Sequence, residues 1–448
     1  MRQGTTPVPA PRSAPALSST RLASAQIIGT TIEWYDFFIY GTASALVFNH
    51  VFFPELPPLI GTLLSLATFG AGFLARPLGA VLFGHLGDRA GRKRTLVLTL
   101  LLMGGATVAV GLLPSYAAIG FTAPLLLLLL RIVQGMAVGG EWGGAALIGI
   151  EHAAPRRKTL FGAFAQLGSP LGLILATLVF LAVTAGSDAW LHSWGWRVPF
   201  LASVLLIPIG LAIRTKIHES PDFTAAHKSP ESARRIPVVA VLRQDWKRVL
   251  VGVGAFAGVF VTYYLLTTFT LVYATGTLGM STSITLPANL VAAISEGVFV
   301  LVGASLAPRF SARKIAATSA VGLLVWAWPA FALVGTRNAT LLYVGVAVSM
   351  AFVGAGYGVL AAEISLLFRP EVRYTGASLT YGIAGSIGGI APSVSTYLLD
   401  RSGSTTPVAV LTAVVALGMT AACLALPHRS EDGPAHGVPG TEASISIP

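Results

Sequence analysis

Two acidic residues stand in the middle of the first long apolar stretch, Glu33 and Asp36. Three residues apart on a helix, they share a face, and Tyr40 continues the stripe. Two carboxylates this close in a low-dielectric site cannot both carry charge cheaply, which suits reversible proton carriage. The competing reading is a structural pair, each acid bonded to a backbone group or to an Arg on another helix. A later apolar stretch carries Arg131, Gln134, Val138 and Glu141 at three-and-four spacing, which sets them along one helical stripe. Arg131 suits a substrate carboxylate, or neutralises Glu33, Asp36 or Glu141 once these lose a proton. One guanidinium cannot bind all of them bidentately at once, so competition for it is a coupling device. Lesser candidates are Gln166, Tyr263 and Tyr264 as cavity-lining polar groups, Glu296 as a second protonatable group and Glu363 as an interfacial acid. Arg76, near an inner span end, is expected to snorkel to the interface.

The elements that must position these groups are set by composition. Of 448 residues, 54% are hydrophobic and only 10% charged, against roughly 25% charged in a soluble domain. Twelve apolar stretches fall near 24–47, 59–83, 95–113, 121–149, 160–184, 197–214, 248–274, 284–307, 314–335, 339–366, 375–399 and 406–427. Each is long enough for the roughly 20 residues that a helix needs to cross a bilayer. Glu33 and Asp36 then lie about 13–18 Å deep, near the midplane, at about 1.5 Å per residue. An ionisable group there costs roughly 2.5–3.5 kcal/mol on insertion scales, so each one needs a reason. The expected architecture is an all-α integral membrane protein, with twelve transmembrane helices in two six-helix bundles. The divisions are a tail 1–20, a bundle 21–214, a connector 215–247, a second bundle 248–427 and a tail 428–448. Repeated glycines at 135, 139 and 143 are expected to let helices approach closely.

The 29 Lys and Arg are not scattered evenly. With the N-terminus in the cytoplasm, 24 fall in inner segments and three (Arg197, Arg337 and Arg401) in outer loops. That asymmetry puts both termini inside a cell membrane crossed many times. It also accounts for the basic pI near 10.0 without a nucleic-acid partner. The loop after the second stretch reads Gly84-His85-Leu86-Gly87-Asp88-Arg89-Ala90-Gly91-Arg92-Lys93-Arg94. Asp88 suits a pairing with cations on a neighbouring helix, and Gly87 and Gly91 permit a tight turn. Arg89, Arg92 and Lys93 serve equally as anchors to anionic lipid. A weaker copy, Ala304 to Lys314, follows the eighth stretch and has Pro308 in place of the acid.

The Gly84–Lys93 segment resembles the loop motif of the major facilitator superfamily. Glu33-Trp34-Tyr35-Asp36-Phe37-Phe38, Arg131-Ile132-Val133-Gln134-Gly135, Gly139-Gly140-Glu141-Trp142-Gly143-Gly144, Trp196-Arg197-Val198-Pro199-Phe200, Glu219-Ser220-Pro221-Asp222-Phe223 and Arg373-Tyr374-Thr375-Gly376 resemble its metabolite:proton symporter group. The resemblance covers about 21–427 and is dense in the first half. It implies alternating access between two bundles and import of a small polar metabolite with protons. Relatives of this kind carry dicarboxylates, tricarboxylates, shikimate, proline or betaines. If the loop motif latches the halves, only the Asp88 copy can do so with a charge.

No nucleophile–base set, Walker loop or dinucleotide fingerprint stands out, so neither an enzyme nor a nucleotide-driven pump is expected. The expected energy source is the proton gradient, with no cofactor and no metal, since His50, His152 and His192 lack ligand spacing. The lone Cys423 excludes an intrachain disulfide. The expected partners are a small-molecule substrate, protons and the lipid bilayer, with the protein acting as a monomer. Two alternatives remain: a proton-coupled antiporter, because Gly162 to Gly172 partly resembles the fifth-helix motif of drug exporters, and a transporter-like sensor without flux.

Overall fold

The computed structural model describes residues 19–90, 92–139, 141, 147, 149, 150, 153, 157–216, 237–369 and 372–427. Among these there are twelve long helices and no strand. They are α1 Ser19–Leu46, α2 Pro58–Phe83, α3 Arg92–Leu112, α4 Thr122–Gly139, α5 Lys158–Thr184 and α6 Arg197–Lys216. The second set is α7 Trp246–Thr277, α8 Thr282–Phe310, α9 Ala312–Val334, α10 Ala339–Leu367, α11 Arg373–Ser402 and α12 Thr406–Ala425. Backbone polar groups in hydrocarbon must be satisfied within the segment, and a helix does this at every interior position.

Ten of the twelve are both long and apolar enough to cross a membrane. The exceptions, α1 and α11, are 28 and 30 residues long but more polar. α1 carries Glu33 and Asp36, and α11 is rich in Gly, Ser and Thr. Both bury much of that polar surface against other helices. The outward faces are different: Leu78, Leu205 and Val325 are each about two-thirds exposed or more. Such a belt of large exposed aliphatics is what hydrocarbon, not water, solvates.

Helices α1–α6 pack chiefly among themselves, as do α7–α12, and the two sets meet along α2–α11, α5–α8 and α5–α10. Glycines set the closest crossings inside each set. A Cβ on Gly135 would fall on the Gly72 carbonyl oxygen, and one on Gly139 on that of Arg76. The same holds in the second set, where Gly354 and Gly358 of α10 lie against the Glu296 and Val300 carbonyls of α8. Gly143 lies outside the described residues. The apolar pattern of α7 predicts a plain helix, yet Leu265–Phe269 and Tyr273–Thr277 wind as π-turns. Such turns cluster at functional sites, and the first follows directly on Tyr263 and Tyr264.

Candidate functional site

Most of the buried charge lies among the helices of the first set, on the side that meets the second. On α1, Glu33 and Asp36 are 6% and 3% exposed. Asp36 accepts a hydrogen bond from the Ser203 hydroxyl of α6 at 2.7 Å. Glu33 lies within electrostatic reach of Glu141, Arg76, Arg214 and Asp36. Tyr40, one turn on, donates to Thr68 of α2 at 2.8 Å. The stripe on α1 therefore faces α2, α4 and α6 and not lipid.

Arg131 is fully buried on α4. Its guanidinium carbon lies 4.1 Å from the Tyr40 ring and 4.4 Å from the Phe37 ring. Gly72 of α2 makes the space: a Cβ there would sit 2.5 Å from Arg131 Nε. Aromatic faces attract a guanidinium and substitute for part of its lost hydration. Its Nη1 reaches Gln134 Oε1 at 3.4 Å, and Gln134 Nε2 in turn donates to Thr107 at 2.7 Å. Nε and Nη2 have no hydrogen-bond partner. No acid among the described residues forms an ion pair with Arg131.

One of the three acids expected to compete for Arg131 is engaged elsewhere. Glu141 lies just past the end of α4 and takes a bidentate bond from Arg214, at 3.0 Å and 2.6 Å. Arg214 also donates to the Leu96 carbonyl oxygen. The sequence hides this partner because Arg214 closes an apolar run and reads as the first cation of the connector.

Arg76 corrects the expectation that it snorkels. It is 2% exposed, with its guanidinium carbon 4.2 Å from the rings of both Phe37 and Phe73. None of its three guanidinium nitrogens has a hydrogen-bond partner. The reason is its side of the helix: Arg76 points across the seam toward Gly385 of α11. Phe37 and Phe73 thus stack on both arginines, Arg76 and Arg131.

The second set presents a tyrosine wall. Tyr263 stacks on Phe38 of α1 at 5.6 Å, and Tyr264 packs against Phe69 and Phe73 of α2 at 5.4 and 5.0 Å. Both hydroxyls are buried without a hydrogen-bond partner. Tyr357 and Tyr381, on α10 and α11, share a hydrogen bond of 2.7 Å. Sequence reading missed this pair, whose signal is a lone tyrosine within a glycine-rich helical segment. Gln166 is fully buried where α5 bends, close to the α5–α10 contact made by Gly162 and Ala362. The arrangement gathers Glu33, Asp36, Tyr40, Arg131 and Gln134 inside the first set, with Tyr263 and Tyr264 of the second set packed against the aromatic rings beside them. It leaves Glu141 in a separate ion pair.

The loop residues sort differently. The backbone is helical as far as Ala90, so Gly87 lies within a helix and not in the expected tight turn, while Gly91 and the side chains of Asp88, Arg89, Arg92 and Lys93 lie outside the described residues. At the start of α7, Asp245 accepts from Arg248 at 2.5 Å and from Arg369 at 3.2 Å. This ties the start of α7 to the turn between α10 and α11. His50 and His192 stack edge to face at 4.8 Å at the opposite ends of their helices. Burial, then the neighbouring His192, hold His50 below its ordinary pKa. His152 lies outside the described residues.

A family profile described as "Sugar (and other) transporter" matches residues 22–238. The inner membrane metabolite transport protein YhjE of Escherichia coli K12 is 40% identical over 423 residues, covering 93% of this chain and 96% of that protein. The shikimate transporter of the same organism is 38% identical over 388 residues, covering 84% and 88%. The solved structure of XylE, a proton:xylose symporter of the major facilitator superfamily, superposes with a TM-score of 0.71 at 14% identity, covering 91% of this chain and 94% of that one. Twelve helices, a charged seam between two sets of six and full-length relatives above 30% identity lead to one assignment: this multi-pass membrane chain is a transporter, not an enzyme, and belongs to the metabolite:proton symporter family of the major facilitator superfamily.

Proposed function

We propose that this transporter imports a small polar metabolite, an organic acid or a zwitterion, together with protons by alternating access. The observation that carries the reading is a guanidinium with free N–H groups, Arg131, buried within electrostatic reach of Asp36 of the acid pair Glu33 and Asp36. A substrate carboxylate supplies the two acceptors that a planar guanidinium lacks here. Asp36, bonded to Ser203 and within reach of Arg131, feels that carboxylate arrive and keeps its proton more readily when Arg131 is occupied. Glu33 and Asp36 hold one proton between them, and Gln134 and Tyr40 fix the guanidinium. Gln166, Tyr263 and Tyr264 line the far wall.

In this reading residues 21–214 and 248–427 rock about the seam, which opens to one side of the membrane at a time. Asp88 latches the inner side through the Gly84–Lys93 loop, and both termini lie in the cytoplasm, as the inward bias of Lys and Arg requires. The test is uptake into proteoliposomes under an inward proton gradient, with labelled proline, glycine betaine, shikimate, 2-oxoglutarate and citrate. The reading requires uptake of at least one compound, abolished by a protonophore and by Asp36→Asn. Dye or metabolite extrusion driven by the opposite gradient, with no uptake, would replace it with antiport.

A further inference from the structure

Glu296 of α8 is fully buried, and no hydrogen bond of good geometry reaches either carboxylate oxygen. No cation among the described residues forms an ion pair with it. A carboxylate in that condition is costly unless a ligand or a proton completes it. Its backbone is held rigidly, since Gly354 of α10 packs directly on the Glu296 carbonyl. Its neighbours come from both sets: Ser169 of α5, whose hydroxyl lies beside both Glu296 and Tyr263, and Tyr263 itself of α7. The α5–α8 crossing is close at this level, with Gly297 only 3.4 Å, by its Cβ position, from Pro170. Tyr264 lies within electrostatic reach of Arg76 and Arg131 on one side and of Glu296 on the other. The second set thus brings the carboxylate of Glu296 to face a first-set side that carries Arg76 and Arg131 along with Glu33.

We propose that Glu296, with Ser169 and Tyr263 beside it, is a second recognition point that takes the cationic group of a zwitterionic substrate whose carboxylate is held by Arg131. This rests on the transport reading above and adds the substrate class. The charge balance of the interior points the same way. Among the described residues of the seam and its margin, the buried acids are Glu33, Asp36, Glu141 and Glu296, against the guanidiniums Arg76, Arg131 and Arg214. One acid is in excess, so a single proton leaves the interior neutral. A zwitterion adds no net charge to it, whereas a monoanion leaves one charge uncompensated and a dianion two, and a charge buried without a partner is strongly disfavoured.

Binding without any gradient tests this on the purified full chain. Each zwitterion is paired with a carbon twin of the same shape that lacks the positive charge: glycine betaine with 3,3-dimethylbutanoate, pipecolate with cyclohexanecarboxylate, proline with cyclopentanecarboxylate. Titration calorimetry is expected to show at least one zwitterion binding about ten-fold more tightly than its twin. Glu296→Gln should bring the two within about two-fold without weakening the twin, while Arg131→Gln weakens both. Should Glu296→Gln not elute as a folded species, Glu296→Asp is the second variant, expected to retain the preference at about a third of its size. A preference that survives intact in whichever variant is folded, or a wild-type protein that binds the twins as tightly, overturns the proposal. Wild-type protein that binds no zwitterion yet takes up another carboxylate under a proton gradient overturns the subsite alone. Absence of both binding and proton-driven uptake sinks the transport reading with it.

Discussion

Arg131 and Gly72 form a matched pair, one large and charged, the other without a side chain. The guanidinium lies where a Cβ of residue 72 would be, 2.5 Å from Nε and 3.0 Å from the guanidinium carbon. Gly72→Ala must therefore push the guanidinium off its aromatic seat or spread α2 from α4. Charge-assisted hydrogen bonds contribute about 1.5–3 kcal/mol, so misplacing the donor should raise the apparent KM by about ten- to a hundred-fold. Arg131→Lys should do at least as much, because an ammonium offers no planar fork and stacks less well. Concentration-dependent uptake checks both, and an unchanged KM in Gly72→Ala would show that Arg131 does not contact substrate. At this scale the acids and Arg131 were legible because charge in an apolar span is rare enough to need a reason. Arg76 and Arg214 were not, since each sits near the end of its run and its partner is far away in sequence. The aromatic seat on Phe37 and Phe73 was invisible for a different reason: phenylalanine in a membrane helix is ordinary, and only tertiary placement turns two of them into the faces that hold two cations.

Helix length and number were legible from apolar runs, and the glycine repeat of α4 correctly foretold close packing at Gly135 and Gly139. The π-turns of α7 left no mark in its pattern, because a single inserted residue shifts the face without changing the composition. Two kinds of helix contact now need to be distinguished. Crossings inside one set, such as α2–α4 and α8–α10, bury glycine against backbone and have nowhere to move. Contacts between the sets are of a different kind, glycine against a side chain or at a longer backbone distance: a Cβ on Gly389 of α11 would lie 2.5 Å from the Phe73 ring and one on Gly70 of α2 3.2 Å from the Gly389 carbonyl, and the Ser386 hydroxyl donates to the Phe73 carbonyl at 2.8 Å. If the sets rock, this contact must open. A Cβ on Gly70 would also lie 3.7 Å from the Ile390 side chain, so cysteines placed at 70 and 390, in a Cys423→Ala background, should cross-link on oxidation and lower uptake at least ten-fold, with activity returning on reduction. Full transport by the cross-linked protein would mean that α2 and α11 move as one body.

Over the whole molecule, each type of surface matches a medium. Large aliphatics such as Leu205 and Val325 face outward, the cations gather at one membrane face in the sequence, and the buried charges line a seam between two sets of six helices. The proposed function rests on the last of these. A transporter must carry charged or polar groups across hydrocarbon without leaving them unpaired, and an interior whose described residues hold one more buried acid than guanidinium does so when a proton travels with the substrate. The central claim is thus that substrate entry brings protons with it. It is tested most directly with no imposed gradient, by adding a transported substrate to lightly buffered proteoliposomes containing a pH-sensitive dye. The lumen should acidify with the same time course as substrate entry, and Asp36→Asn should still exchange labelled for unlabelled substrate while losing the pH change. A lumen that turns alkaline, or entry with no pH change in the wild-type protein, would contradict proton symport.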